Sequence, residues 1–223
     1  MSLSSRAILS AVLDGAGLGE DPRKRAAALF AAGVDWIQLR DRSLPDAALF
    51  ALAAALIAAR DEASGNLARS EPAKRVIVNR RLDIALAVGA DGVHLGFDAV
   101  GPDEARRLLG PDALVGASLH AIEEIEAATA GPLSYAHLAP IWPPLSKPAS
   151  RPPLGPETLA RACRPGLPLL AQGGLDPQRA LEAVRAGAAG IAVTGSLTGS
   201  SEANRLAGAL RRALDGGRRD DHA

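Results

Sequence analysis

Short apolar runs of strand length alternate with longer amphipathic stretches along almost the whole chain. The runs predict strands over residues 7–13, 34–39, 76–79, 92–95, 114–117, 134–139, 168–171 and 190–193. Between them the pattern predicts helices over 22–32, 45–62, 82–88, 102–109, 122–130, 156–163, 177–186 and 202–214. Three helices share a start signal: Asp21-Pro22, Gly101-Pro102 and Asp176-Pro177 put a cap residue before a first-turn proline. Gly33, Gly89 and Gly187 follow helices, where a glycine takes the left-handed conformation without steric cost. Such alternation implies parallel strands joined by right-handed helical crossovers. Eight units predict a closed (β/α)8 TIM barrel, an α/β fold forming a single domain over residues 1–215. The polar stretch 61–74 reads as a longer loop at the rim away from the site. After Leu214 the sequence DGGRRDDHA reads as frayed, with 216–223 a flexible tail.

Composition narrows the partners. The 223 residues carry a formal net charge of zero, which argues against a general binder of nucleic acid or anionic membrane. Aromatic residues make up 3%, too few for a base-stacking platform. The alanine- and leucine-rich stretch 47–59 is too short to span a bilayer, and MSLSSRAILSAVLD lacks the pattern of a cleavable signal. Cys163 is the sole cysteine, so no intrachain disulfide forms and a reducing compartment fits. The expectation is a cytoplasmic protein with a small-molecule substrate, homo-oligomerisation being left open.

In barrels of this kind the ligand site lies at the C-terminal ends of the strands. Alternation places Trp36, Gln38 and Arg40 on one face of the second strand; with Ile37 and Leu39 against the helices, Gln38 and Arg40 point into the mouth. A rim salt bridge from Arg40 to Asp41 is the plainer alternative. AQGGL and AVTGS end the seventh and eighth strands. Small residues there expose backbone amides and the next helix adds its dipole, so Gly173, Gly174, Thr194, Gly195 and Ser196 are candidates for a phosphate cradle. His120 follows GASL and shares parity with Ser118; an imidazole suits proton transfer and a nearby hydroxyl can orient a substrate. A histidine that only satisfies local backbone groups would look the same. His94 reads as a core histidine of the fourth strand, His137 lies inside the sixth and His222 in the tail, with no metal-ligand spacing among them. The proline-rich stretch 143–155 reads as a lid over the mouth, with Lys147 placed to reach a phosphate.

The segments WIQLRDRS, VNRRLDIALAVGADGVHLG, GASLH, PIWPPLSK, LAQGGL and GIAVTGSL resemble, in order, the successive signatures of the thiamine-phosphate synthase/TenI family. The resemblance covers most of the chain and implies a TIM barrel that binds thiazole phosphate in thiamine biosynthesis. Two activities occur in the family. Synthases join hydroxymethylpyrimidine diphosphate to thiazole phosphate with Mg2+ and release pyrophosphate. TenI-type proteins instead tautomerise a carboxythiazole phosphate to its aromatic form.

By this resemblance Gln38 and Arg40 match a diphosphate-binding motif, with Arg42 in place of its usual lysine, and Asn79 matches the asparagine after the third strand. Arg80 stands where a magnesium aspartate belongs. Phe97 and Ala99 replace the glutamine and the second acid after the fourth strand, leaving Asp98 as the one substitute ligand. Ser118 and Lys147 match, Pro144 replaces a threonine, and His120 matches the proposed proton-transfer residue of the tautomerase. The resemblance thus leads first to a metal- and cofactor-free tautomerase, with His120 and Ser118 catalytic and Arg40 or Arg80 pairing with the carboxylate. The alternatives are a divergent synthase with Mg2+ held by Asp98, and a non-catalytic thiazole- or thiamine-phosphate-binding protein.

Overall fold

A computed structural model describes residues 6–65, 73–96, 98–143, 151–198 and 201–217. Among them the strands are β1 (Ile8–Leu13), β2 (Trp36–Leu39), β3 (Arg75–Asn79), β4 (Gly92–Leu95), β5 (Leu114–Leu119), β6 (Tyr135–Leu138), β7 (Leu169–Gln172) and β8 (Gly190–Thr194). They are parallel, neighbour each other in sequence order, and close into a barrel where β1 pairs with β8. The helices are α1 (Gly15–Leu18), α2 (Pro22–Ala31), α3 (Asp46–Gly65), α4 (Leu82–Val88), α5 (Pro102–Leu109), α6 (Ile122–Thr129), α7 (Gly155–Ala162), α8 (Pro177–Arg185) and α9 (Ser201–Gly217). The predicted TIM barrel is the fold observed.

Period-two alternation sorts the strand residues into two cores. Leu9, Ile37, Val78, Ala136, Ala171 and Ile191 face outward and pack in the large cluster that the helices cover. Ile8, Val12, Trp36, Ile77, Tyr135 and Leu170 face inward and fill the barrel. At the C-terminal end of the same inward rows the apolar side chains give way to Gln38, Asn79, His94, Ser118, His137 and Gln172. This change of chemistry partway along each strand positions the site.

Two of the three start signals act through a side chain: Asp21 accepts from the Lys24 amide and Asp176 from that of Arg179, whereas Gly101 sits at the cap of α5 without such a bond. Gly33, Gly89 and Gly187 have φ of 102°, 65° and 98°.

Three local expectations need correction. A one-turn helix, α1, follows β1, capped by Asp14 through the Gly17 amide at 2.8 Å; four residues with two glycines are too few to show a period. Ala63–Gly65, read as loop beyond the predicted helix 45–62, continue α3, whose polar last turn carries no apolar period to mark it. Asp215–Gly217, read as frayed, belong to α9, and Asp215 is held by Arg6 and Arg211. Residues 66–72 and 218–223 lie outside the described residues. Among the described residues no helix is long and apolar enough to cross a membrane.

Candidate functional site

A cavity of about 500 Å3 opens at the C-terminal mouth of the barrel, within the size range of small-molecule sites. Gln38, Arg40, Asn79, Ser118 and His120 line it from β2, β3 and β5. Gly173, Gly174, Thr194, Gly195 and Ser196 line it from the ends of β7 and β8. Arg42 and Arg80 stand outside the lining. Lys147 and Pro144, with most of the expected lid, lie outside the described residues; Arg151, at that segment's end, does reach the cavity.

The β7 and β8 ends form a glycine-rich rim. Gly173, Gly174 and Gly195 have φ of 103°, 59° and 80°, a region that disfavours other residues. At Gly174 any Cβ would also stand 2.1 Å from the Pro143 carbonyl oxygen, so the turn fits tightly under the β6–α7 segment. Arg179 of α8 donates to the Gly174 carbonyl at 2.6 Å, and Gln172 donates to the Thr194 hydroxyl at 2.9 Å, tying the two strand ends together.

On the β2 side, Asp41 does not pair with Arg40. Its oxygens accept from the amides of Gly15, Ser43 and Leu44 and from the Ser43 hydroxyl. These bonds, the Gly15 amide foremost, hold its carboxyl at about 2. The Arg40 guanidinium is left at the mouth, lowered first by burial and then by repulsion from Arg42 and Arg80. Arg80 forms an ion pair with Asp98, and its backbone amide donates to the His94 carbonyl at 2.9 Å. Asn79 Nδ2 reaches the same carbonyl at 3.2 Å. Among the described residues no group of three or more His, Cys, Asp and Glu side chains is placed to hold a metal ion.

His120 Nδ1 lies 2.7 Å from the Ala139 carbonyl oxygen. A carbonyl can only accept, so Nδ1 carries the hydrogen, and in the neutral ring Nε2 keeps the lone pair. Ser118, expected to orient substrate, has its hydroxyl 2.9 Å from His94 Nε2.

The sequence reading passed over several cavity residues, three of them polar side chains of the strands. His94 and His137 are indeed buried, yet both line the floor, and Gln172 lines the wall. Strand alternation held the signal: His94 and His137 share the inward parity of their strands, and each lies two residues or fewer from the strand's C-terminal end.

The family model described as thiamine monophosphate synthase matches residues 9–197. A thiamine-phosphate synthase from Mycobacterium avium is 40% identical over 178 residues, 78% of each chain. The thiamine biosynthesis bifunctional protein ThiM/ThiE of Symbiobacterium thermophilum is 37% identical over 209 residues, 93% of this chain; the match spans only 41% of that protein. Among solved structures, thiamine phosphate pyrophosphorylase from Pyrococcus furiosus superposes with a TM-score of 0.78 at 23% identity, covering 94% of this chain and 96% of that one. That likeness speaks for the fold.

Proposed function

Because the chain belongs to the thiamine monophosphate synthase family, we propose that it joins hydroxymethylpyrimidine diphosphate to thiazole phosphate. The relatives reported above favour this coupling over the tautomerisation that the sequence alone placed first. The observation that carries it is the cavity itself, whose mouth is lined both by a left-handed glycine rim suited to a phosphate at β7 and β8 and by the Arg40 guanidinium that follows β2.

Magnesium, which the family resemblance implies, does not fit the described residues. Arg80 occupies one acid position, Ala99 the other, and Asp98 is taken up by Arg80. A fixed cation there repels a divalent ion. The negative charge of a diphosphate is instead met by Arg40, aided at the rim by Arg42 and Arg80, whose mutual repulsion an incoming anion relieves.

Tautomerisation stands as the second reading, favoured by one observation: His120 presents an imidazole to the cavity with Nδ1 fixed by Ala139, the arrangement of a general base. One set of incubations separates the two. The purified protein is given thiazole phosphate with the pyrimidine diphosphate, or carboxythiazole phosphate alone, each with Mg2+ and with EDTA. Coupling that persists in EDTA is the expected result. If no coupled product forms while carboxythiazole phosphate aromatises faster than in buffer, and His120→Ala slows that step roughly 100-fold or more, the second reading replaces the first.

A further inference from the structure

The cavity floor holds two buried polar atoms without partners, and they come from opposite sides of the barrel. Gln38 on β2 and His137 on β6 are each 2% exposed, and neither Gln38 Oε1 nor His137 Nε2 has a hydrogen-bond partner among the described residues. A polar atom stranded this way has given up its water and received nothing in return, which destabilises the fold. Native folds keep few of them, and each asks what supplies the missing partner.

Among the neighbouring groups Gln172 interacts with the His137 side chain without bonding Nε2, and His94 has no nitrogen to spare. His94 is engaged at both nitrogens, Nδ1 3.2 Å from the Tyr135 hydroxyl and Nε2 2.9 Å from that of Ser118. Its ring centroid stands 4.2 Å from that of His137, and the Tyr135 ring 5.6 Å away, so the His137 ring is clamped in place. The fold fixes this imidazole with Nε2 buried and unbonded. Burial pushes His137 down to about 3, with Gln172 opposing part of the change, and pushes His94 well below its ordinary value as well. Both rings are neutral at physiological pH. A neutral ring nitrogen at the buried end of the cavity matches the polar edge of an uncharged heteroaromatic ring. It matches a phosphate poorly, and the glycine rim and Arg40 already provide for one.

We propose that His137 is a specificity-determining residue: its Nε2 hydrogen-bonds the heteroaromatic ring of a phosphorylated ligand, with Gln38 Oε1 facing the ring from across the barrel. This rests on the reading that the ligand is a phosphorylated heterocycle. Binding to the wild type, His137→Phe and His137→Ala is measured for thiazole phosphate by calorimetry and for inorganic phosphate by 31P NMR. Both variants are expected to lose at least tenfold in affinity for thiazole phosphate and to bind inorganic phosphate within twofold of the wild type. In 15N-histidine-labelled protein, which has four histidines to assign, thiazole phosphate should shift the His137 nitrogen signals and inorganic phosphate should not. Thiazole phosphate bound within twofold of the wild type by both variants, or equal losses for both ligands, overturns the assignment of His137. A wild type that binds inorganic phosphate but not thiazole phosphate instead overturns the functional reading, and this inference with it.

Discussion

Arg80 has a φ of 66°, the one positive value outside glycine among the described residues. The left-handed backbone costs an L-residue roughly 1–2 kcal/mol. It is held by the turn from β3 into α4, where the Arg80 amide donates to the His94 carbonyl at 2.9 Å and its carbonyl accepts from the Leu82 amide at 3.1 Å. Glycine would make the same turn without strain. The side chain does not explain the choice through stability, because its pair with Asp98 is solvent-exposed and worth at most about 1 kcal/mol. Strain that the fold does not need is a mark of function, and here the gain is a guanidinium close enough to perturb Arg40. Arg80→Gly is therefore expected to leave the melting temperature within about 4 °C of the wild type while weakening pyrophosphate binding tenfold or more. Calorimetry beside a thermal melt checks both; a large drop in melting temperature with pyrophosphate binding intact would make Arg80 a structural residue.

At the scale of elements, the pairing of β5 with β6 shapes the cavity floor. Gly116 stands opposite Tyr135, and a Cβ on Gly116 would lie 2.2 Å from the phenol ring. The missing side chain lets Tyr135 lie across β5, edge-on to Trp36 at 5.1 Å, with its hydroxyl reaching His94. Gly116→Ala overpacks this layer and is expected to cost about 1–3 kcal/mol, a fall in melting temperature of roughly 2–12 °C. Displacing Tyr135 also disturbs His94 and Ser118, so thiazole phosphate should bind more weakly in this variant than in Tyr135→Phe, which keeps the packing. Equal affinities in the two variants would argue against that coupling.

These same elements show what the sequence makes legible. Proline-led helix starts and alternating strands gave all the major elements, since each expresses a local rule over several residues. α1 was hidden because four residues carry no period, and the end of α3 because a polar helix surface resembles a loop. The glycine rim and the β2 arginine could be placed by strand position alone. The role of His137 could not, because an inward histidine near a strand end is a packed residue or a ligand contact depending on what its second nitrogen meets. That depends on β4 and β5, distant in sequence. Arg80 shows the converse case: its oddity was plain from the resemblance, whereas its strain and its hold on Asp98 appear only in three dimensions.

For the whole molecule, the face opposite the cavity joins β1 to α9. Asp35, just before β2 and fully buried, accepts from the Leu9 amide at 2.8 Å and from Arg211 of α9 at 2.9 Å. Arg211 also donates to the Ala7 carbonyl and to Asp215, and Asp215 accepts from Arg6 Nε and Nη2 at 2.9 and 3.0 Å. The first strand and the last helix are thereby locked beneath the seam where β1 meets β8. Removing one partner of a buried pair costs about 3–5 kcal/mol where the other is left charged and poorly solvated; Lys74, 3.6 Å from Asp35, remains as a second cation and holds the cost toward the lower end. Arg211→Met should accordingly lower the melting temperature by roughly 6–20 °C. Arg211→Met with Asp35→Asn removes both of these charges and leaves Lys74 alone in the network, so the double variant should lose less than the sum of the single ones. Because the network lies at the far end of the barrel from the cavity, the folded fraction of each variant should bind thiazole phosphate with wild-type affinity. Strict additivity in the melts would show that Asp35 and Arg211 act independently, and the seam would then owe its closure to strand pairing and apolar packing alone.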